Sequence, residues 1–256
     1  MTNGISKNKI KYIHSLEQKK VRKEEKVFLA ETPKLVGDLL GNMHCNYLAA
    51  CAEWLEKHPE AKADEIAVVT PEELKKASLQ KTPQEVLGVF HQPQHSFSTD
   101  IIAQTLSLGL DGVQDPGNLG TIIRIADWFG IEDIFCSPDT VDVYSPKVIQ
   151  ATMGAIARVR VHYTPLAPFI ERFEGRLPVY GTFLDGDNMY QKDLTPHGLI
   201  IMGNEGKGVT PEIERLVDRK LFIPNYPKNR STSESLNVAV ATSIVCAEFR
   251  RQVSFR

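Results

Sequence analysis

A glycine-rich loop directly follows a short apolar run in the second half of the chain. Residues 199–202, LIIM, lead into GNEGKG at 203–208 and then into a helix that Thr210 and Pro211 would start. Three glycines in six residues allow a sharp turn and the close approach of a ligand. Their spacing is neither that of a dinucleotide-binding loop nor that of a Walker A loop. The loop is either a tight turn or a binding loop, and a turn alone would not require Glu205.

A second candidate is DPGNLGTIIRIADW, residues 115–128. Its first four residues are typical of a turn, and Asn118 is predicted to cap a helix that begins at Leu119. Arg124 lies on this helix among isoleucines and alanine. Because a lone buried charge is costly, we expect Arg124 either to extend to solvent or to meet a partner or substrate.

The third candidate is LFIPNYPKNRSTSESLNVAVA, residues 221–241. Its serines suit a helix N-terminus, and we expect Ser233 or Ser235 to cap the helix that follows. Asn237 lies just inside the apolar start of that helix, so it is either a local cap or a side chain that faces a site. Lys228 and Arg230 give the loop a charge suited to a polyanion, although a solvated loop would have the same composition.

The elements around these stretches predict an α/β fold. Short apolar runs alternate with amphipathic segments, including a helix predicted over residues 145–159, and this alternation favours a parallel sheet covered on both faces. Ligands bind such sheets at the carboxyl ends of the strands, where all three candidate loops lie. The polar stretch HQPQHSFSTD has no periodicity and is predicted to be a linker. The predicted division is 1–92, a linker at 93–104, and 105–256.

Composition narrows the function classes. The chain has 256 residues, 42% of them hydrophobic, which is typical of a globular protein with room for two cores. The beginning of the sequence carries no apolar segment and no run approaches 18 apolar residues, so we expect neither a secretory signal nor a membrane span. The four cysteines are scattered without a C-x-x-C motif, which indicates reduced thiols and a cytoplasmic location.

The charged and metal-binding residue types are distributed unevenly. The formal net charge is −2, yet residues 1–26 carry eight basic and three acidic side chains. That excess indicates either a solvated helix face or a footprint for phosphates, with Lys19, Lys20 and Arg22 as candidate RNA contacts. Only His162 and His197 lie beyond residue 95, too far apart for a His-based metal site, and no metal site is predicted.

Taken together, the three stretches resemble the SpoU-type (TrmH-like) RNA 2′-O-ribose methyltransferases of the SPOUT superfamily. Asn118 and Arg124 match the first family motif, and GNEGKG after a strand matches the second. Ile223-Pro224 followed by SLNV at 235–238 matches the third. The match spans about residues 107–250. The N-terminal half resembles the L30e-like RNA-binding domain that often precedes this catalytic domain.

The resemblance implies a fold, a cofactor and an assembly. It implies a deep trefoil knot near the C-terminus, S-adenosylmethionine as the cofactor, RNA (rRNA or tRNA) as the substrate, and a homodimer with sites near the subunit interface. The implied cofactor-binding residues are Thr182, Gly203, Asn204, Gly206, Gly208, Ile223 and Leu236.

The resemblance also implies roles in methyl transfer to a ribose 2′-hydroxyl. The family's candidate base corresponds to Arg124, but the high pKa of a guanidinium favours a phosphate or oxyanion anchor, and Arg124 would be a base only if its pKa were strongly perturbed. Four polar residues would orient the substrate and the arginine: Asn118, Glu205, Ser235 and Asn237. The alternative is an RNA-binding protein of the same fold without catalytic activity. The sequence lacks the phosphate-binding motif of a nucleotide-dependent oxidoreductase and the G-x-S-x-G motif of a serine hydrolase.

Overall fold

The structure, a computed structural model, describes residues 2–227 and 235–254. The chain divides into two compact units. The first comprises Met1–Gln94 with Asp142–Ala157, and the second comprises His95–Val141 with Arg158–Arg256. The segment Asp142–Ala157 therefore groups with the N-terminal part of the chain, whereas the division at residues 92 and 105 that the sequence predicts would assign it to the later domain.

The first unit is built on a mixed five-stranded sheet in the order β1-β4-β3-β5-β2. β1, β4 and β3 run parallel, and β5 is antiparallel to both β3 and β2. Its core includes Ile13, Tyr47 and Val89, each no more than 1% exposed. In chain order the elements are β1 (Thr2–Asn3), α1 (Lys7–Ser15), α2 (Lys19–Glu25), β2 (Val27–Glu31), α3 (Pro33–Leu40), β3 (Cys45–Ala50), α4 (Ala52–Lys57), β4 (Glu65–Val68), α5 (Pro71–Ala77) and β5 (Val86–His91).

The later elements begin at residue 99. They are α6 (Thr99–Ile102), β6 (Leu106–Leu110), α7 (Pro116–Trp128), β7 (Asp133–Cys136), α8 (Pro146–Thr152, in the first unit), β8 (Arg160–Tyr163), α9 (Leu166–Glu171), β9 (Val179–Asn188), β10 (Gly198–Met202), α10 (Pro211–Glu214), β11 (Arg219–Phe222) and α11 (Val238–Ser254). Two short 3₁₀ helices cover Ala155–Ala157 and Met189–Gln191.

The second unit contains a six-stranded sheet in the order β11-β9-β10-β6-β7-β8, and its strand pairs are parallel. β6 and β10 lie at its centre and are buried along their whole length. β10 is an almost continuous run of apolar residues, and in β6 three leucines alternate with the small residues Ser107 and Gly109. Burial of both strands on both sides is expected for a sheet covered on both faces. The predicted α/β fold with a parallel sheet is thereby confirmed. The candidate loops at 111–115, 203–210 and 223–227 all follow the carboxyl ends of its strands.

Three helix boundaries differ from the sequence prediction. α7 begins at Pro116 and not at Leu119, because the Asp115 side chain, rather than that of Asn118, accepts the hydrogen bond that caps the helix. The helix predicted over 145–159 ends at Thr152, where Met153 and Gly154 adopt positive φ angles of 51° and 94°. A residue with positive φ ends the regular helix.

α11 also begins differently. Its described N-terminus is capped by Asn237, whose Oδ1 accepts from the backbone N–H groups of Ala239 and Val240 at 3.0 and 3.2 Å. The prediction that Ser235 caps this helix is therefore wrong, and Ser233 lies outside the described residues. No described helix is both long enough and apolar enough to span a bilayer.

A buried charged cluster joins β7 to β8. Asp133 is 4% exposed and accepts hydrogen bonds from Arg160 at 2.7 and 2.8 Å. The Nε2 atom of His162 lies 2.9 Å from the same carboxylate. Burial raises the pKa of Asp133, but the hydrogen bonds and positive charges of His162 and Arg160 outweigh it and lower the pKa to about 2. The cluster thus holds a charged carboxylate inside the unit.

Candidate active site

The glycine-rich loop after β10 is folded on itself by Asn204. The backbone of Asn204 exchanges two hydrogen bonds of 2.9 Å with Gly208, and its Oδ1 accepts from Gly206 and Lys207. Its Nδ2 donates to the Gly112 carbonyl at 2.7 Å, which ties this loop to the one after β6. Asn204 was predicted to bind the cofactor. These contacts of its side chain fix the shape of the loop, and its role in binding the cofactor stays a prediction.

Gly203 is the point of closest approach within this loop. A Cβ atom added there would lie 2.3 Å from the Gly208 carbonyl carbon and 2.4 Å from the Val209 nitrogen. Backbone atoms cannot move aside as a flexible side chain can, so only glycine fits at position 203. Gly208 has a φ of +71°, which also favours glycine. The loop's own geometry therefore accounts for Gly203 and Gly208, before any ligand is considered.

Three side chains from three separate segments form a hydrogen-bonded chain. The Nδ2 of Asn237 donates to the Oδ1 of Asn118 at 2.9 Å. The Nδ2 of Asn118 in turn donates to the Oε1 of Glu205 at 3.0 Å. The chain therefore runs from an amide donor at the start of α11, through the first turn of α7, to a carboxylate on the glycine-rich loop. The structure brings together three of the five predicted catalytic residues.

Asn237 serves two purposes in this arrangement. Its Oδ1 caps α11, which is one of the two alternatives open from the sequence, and its Nδ2 donates to Asn118. An asparagine can do both because its amide carries an acceptor and two donors on one rigid group. The start of α11 is thereby fixed to α7, the helix against which it packs. That Asn237 faces a functional site stays a prediction.

A cleft of about 630 Å³ opens beside the hydrogen-bonded chain, at the carboxyl ends of the strands. Its volume lies in the range of pockets that hold small ligands. Every predicted cofactor-binding residue lines it, together with Ser235 and Glu205. The other lining residues, which sequence reasoning missed, are Phe183, Leu184, Asp185, Met202, Lys207, Val209, Glu214, Leu221, Phe222, Val238 and Ala241. Most of them belong to strands whose sequence indicated only burial, so no local signal marked them.

The carboxylates of the cleft differ in their partners. Lys220 donates hydrogen bonds to Glu214 and to Asp185, the latter at 3.2 Å. These two hydrogen bonds raise the pKa of the Lys220 ammonium. Glu205, in contrast, is exposed and is held by the neutral amide of Asn118, with no ion pair to any described residue. Its negative charge is therefore available to a ligand.

Asp111 directly follows β6 and was also not predicted as a residue of the site. It is 5% exposed, and its Oδ2 accepts from the Thr210 backbone N–H at 2.7 Å. This hydrogen bond connects the end of β6 to Thr210, which lies between the glycine-rich loop and α10. A carboxylate directly after an apolar strand is a signal that could have identified it.

Arg124 lies apart from the hydrogen-bonded chain. It is exposed on α7, lines no part of the cleft, and has no hydrogen bond or ion pair with the residues at 2–227 and 235–254. Six residues of helix separate it from Asn118, which corresponds to about 9 Å along the axis and about 120° around it. Of the two predicted states, Arg124 therefore has the solvent-extended one within a single chain.

The predicted RNA contacts fall into three groups. Lys19 and Lys20 are exposed on α2. Arg22 is 3% exposed, and its guanidinium donates to the Leu16 and Glu17 carbonyls and to Asp142. The predicted RNA contact of Arg22 does not fit this burial, because both terminal nitrogens of its guanidinium donate hydrogen bonds within the first unit. Lys228 and Arg230 lie outside the described residues.

Comparison with family models identifies both parts of the chain. Residues 105–247 match the SpoU rRNA Methylase family, and residues 7–88 match an MRM3-like substrate binding domain. The first match covers more than half of the sequence. The chain belongs to the SpoU rRNA methylase family. This membership confirms the family resemblance inferred from the three motifs.

Individual proteins of the SpoU family are similar over most of the chain. An uncharacterised tRNA/rRNA methyltransferase from Synechocystis is 31% identical over 95% of this chain and 90% of its own length. A TrmH-family RNA methyltransferase structure from Porphyromonas gingivalis is 40% identical, covers 97% of this chain and 99% of its own, and has a TM-score of 0.87. The AdoMet-bound rRNA methyltransferase of Sinorhizobium meliloti is 30% identical, covers 98% of both chains, and has a TM-score of 0.86.

Proposed function

We propose that this SpoU-family protein transfers a methyl group from S-adenosylmethionine to a ribose 2′-hydroxyl of ribosomal or transfer RNA. The proposal depends mainly on the hydrogen-bonded chain Asn237–Asn118–Glu205, which joins the starts of α11 and α7 to the glycine-rich loop beside a cleft of about 630 Å³. The S. meliloti relative, 30% identical, is an rRNA methyltransferase with AdoMet bound, which supports the choice of cofactor.

The cleft fits this cofactor in size, shape and charge. Gly203 lets the loop close on its own backbone, and Met202, Ile223 and Leu236 offer apolar contacts for an adenine ring. The exposed Glu205 carboxylate is complementary to a cationic sulfonium. Bound there, S-adenosylmethionine would supply an electrophilic methyl group. Backbone groups of the loop and the side chain of Thr182 would orient it.

In this proposal Glu205 accepts the proton of the ribose hydroxyl. A 2′-hydroxyl is a poor nucleophile until it begins to lose its proton. The Oε1 atom of Glu205 is held by Asn118, which leaves Oε2 to take that proton. Asp185 and Glu214 are less suited, because both are paired with Lys220. Asn118 and Asn237 act as positioning residues that fix the carboxylate. Ser235, on the wall of the cleft, would help to orient the substrate.

Arg124 would bind an RNA phosphate, and it would do so for the partner subunit. An arginine stays protonated at neutral pH, which suits a phosphate anchor rather than a base. Trp128 lies one helical turn beyond Arg124 and is 86% exposed, and Val240 on α11 is 49% exposed. We propose that this face of α7 and α11 forms a homodimer in which Arg124 reaches the cleft of the other chain. We also propose that the chain forms, near its C-terminus, the deep trefoil knot that the family resemblance implies.

The remaining parts of the proposal concern the RNA and its location. The first unit, with exposed Lys19 and Lys20 on α2, would hold the RNA substrate. The four cysteines are unpaired, and we place the protein in the cytoplasm.

The experiment combines the full chain with total rRNA and tRNA and methyl-labelled cofactor. Ribose methylation makes the adjacent phosphodiester resistant to alkali, so label should appear in alkali-resistant dinucleotides. Glu205→Gln should bind the cofactor and transfer little label. Label that alkali releases in mononucleotides would place the methyl group on a base and contradict the proposal. So would the absence of methyl transfer by a chain that is shown to bind the cofactor.

A further inference from the structure

Three potential metal ligands meet at one end of three adjacent strands in the sheet of the first unit. His44 directly precedes β3, Asp64 directly precedes β4, and His91 is the last residue of β5. β4 and β3 are parallel neighbours and β5 runs antiparallel to β3, so these three positions fall at the same end of adjacent strands. The histidines are 47 positions apart in the chain, so sequence spacing gave no indication of this cluster.

Backbone hydrogen bonds fix the three positions. The His91 N–H donates to the His44 carbonyl, and the Asp64 N–H donates to the Cys45 carbonyl, both at 3.0 Å. The three potential ligands are therefore held at the strand ends by backbone hydrogen bonds between neighbouring strands. A metal site held by such a frame needs only side-chain rotations to close.

The side-chain atoms are already near metal-binding distances. One ligand atom from each residue lies within 4.8 Å of the other two, and the Nε2 of His44 is 2.9 Å from the Oδ2 of Asp64. The ligand atoms of a tetrahedral zinc ion lie about 3.3 Å apart, given metal–ligand bonds of about 2.0–2.1 Å. The distances between ligand atoms in the cluster, from 2.9 Å to at most 4.8 Å, therefore span this spacing. The two imidazole rings are tilted by 50° relative to each other, with centroids 4.9 Å apart.

The charges and partners of the cluster favour a cation over a simple ion pair. In the described parts of the chain, neither lysine nor arginine forms a salt bridge with Asp64, and the His91 ring accepts or donates no hydrogen bond. An ion pair of His44 with Asp64 alone would leave His91 unexplained. The side chains of His44 and Asp64 are 60% and 54% exposed, so water can complete the coordination.

We propose that His44, Asp64 and His91 form a binding site for a divalent transition metal of the zinc class. Two imidazole nitrogens and one carboxylate select such an ion, whereas magnesium and calcium prefer oxygen ligands throughout. The ion joins β3, β4 and β5 at their shared end. This site is independent of the proposed methyl transfer, since none of its residues belongs to the cleft or to the hydrogen-bonded chain.

The test uses the untagged full chain, stripped of metal by a chelator and titrated with Co²⁺ as a spectroscopic probe. We expect one ion per chain, with visible absorption bands that disappear when Zn²⁺ is added. His44→Gln, Asp64→Asn and His91→Gln should each weaken binding at least tenfold. These positions are at the surface, and circular dichroism should show an unchanged fold. The matched control is His197→Gln in the second unit, which should bind like the wild type.

Two results would overturn the site. One is the absence of saturable Co²⁺ binding by the wild-type chain. The other is binding that persists in His91→Gln and Asp64→Asn, which would place the ion elsewhere, for instance at the partly buried Cys51. An equal loss in His197→Gln would also count against the proposal, because that residue lies in the other unit.

Discussion

Asn237 gives the sharpest test of the site, because its two roles can be separated by substitution. In Asn237→Ala both roles are lost: the cap on Ala239 and Val240, and the hydrogen bond to Asn118. In Asn237→Asp the cap remains, because aspartate is also a preferred N-cap residue. The Nδ2 donor is lost, however, since an ionised carboxylate only accepts.

The magnitudes follow from the geometry. Removing an N-cap costs about 1 kcal/mol of folding free energy. The exposed amide–amide bond to Asn118 adds about 0.5 kcal/mol. We therefore expect Asn237→Ala to lower the melting temperature by roughly 3–6 °C, at about 2–4 °C per kcal/mol for a chain of this size. Asn237→Asp should keep its stability to within about 0.5 kcal/mol.

Activity should respond differently from stability. Both variants release Asn118, so the Glu205 carboxylate loses its fixed orientation. Misplacement of a catalytic group by about 1 Å costs up to about 100-fold in rate. We expect single-turnover methyl transfer to fall by about 10- to 100-fold in both variants, while cofactor affinity changes little.

The assays are urea unfolding for stability, calorimetric titration for cofactor binding, and single-turnover transfer of labelled methyl to RNA. For stability, the matched control is Ser235→Ala, which leaves the Asn237 contacts intact and should unfold like the wild type. A wild-type rate in Asn237→Asp would refute the hydrogen-bonded chain as a positioning device. Unchanged stability in Asn237→Ala would refute the cap.

The remaining predictions concern assembly, the loop and acid stability. If Arg124 acts in trans, a 1:1 mixture of Arg124→Ala and Glu205→Gln chains should recover about a quarter of wild-type activity after reassociation, and action in cis would give none. Gly203→Ala, whose Cβ would meet backbone at 2.3 Å, should abolish cofactor binding in titration calorimetry, and wild-type affinity would contradict that close contact. The Asp133 carboxylate has a pKa lowered to about 2, below its unfolded value of about 3.9, so its stabilisation is present above pH 4 and is lost as the pH falls toward 2. Urea unfolding should therefore show Asp133→Asn less stable than wild type at pH 7, with the difference shrinking near pH 2, and a pH-independent difference would contradict the ion cluster.

Much of the second unit was predictable because its signals are local. The buried runs of β6 and β10 and the turn chemistry before α7 are each written in adjacent residues. The placement of the candidate loops at one sheet edge then follows from the parallel topology. The family motifs added Asn118, Glu205 and Asn237 as a set, which no single stretch could have joined.

The details that escaped prediction depend on contacts distant in the chain. Whether Asn118 or Asp115 caps α7 depends on a choice between two good capping residues, and the alternative role of Asn118 is set by Glu205, 87 positions away. The grouping of Asp142–Ala157 with the N-terminal unit rests on contacts such as that of Arg22 with Asp142, 120 positions apart. Burial of Arg22 was unexpected for the same reason, since a basic stretch alone indicates a solvated face.

The central claim is that methyl transfer takes place at a ribose 2′-hydroxyl. The most direct measurement maps the modified nucleotide in an RNA substrate and then replaces that nucleotide by its 2′-deoxy form. Mass spectrometry of the digested wild-type substrate should show one 2′-O-methyl nucleoside carrying the deuterated methyl group of the cofactor, and the 2′-deoxy substrate should gain no label. Label that persists on the 2′-deoxy substrate would place the methyl group on the base and contradict the account.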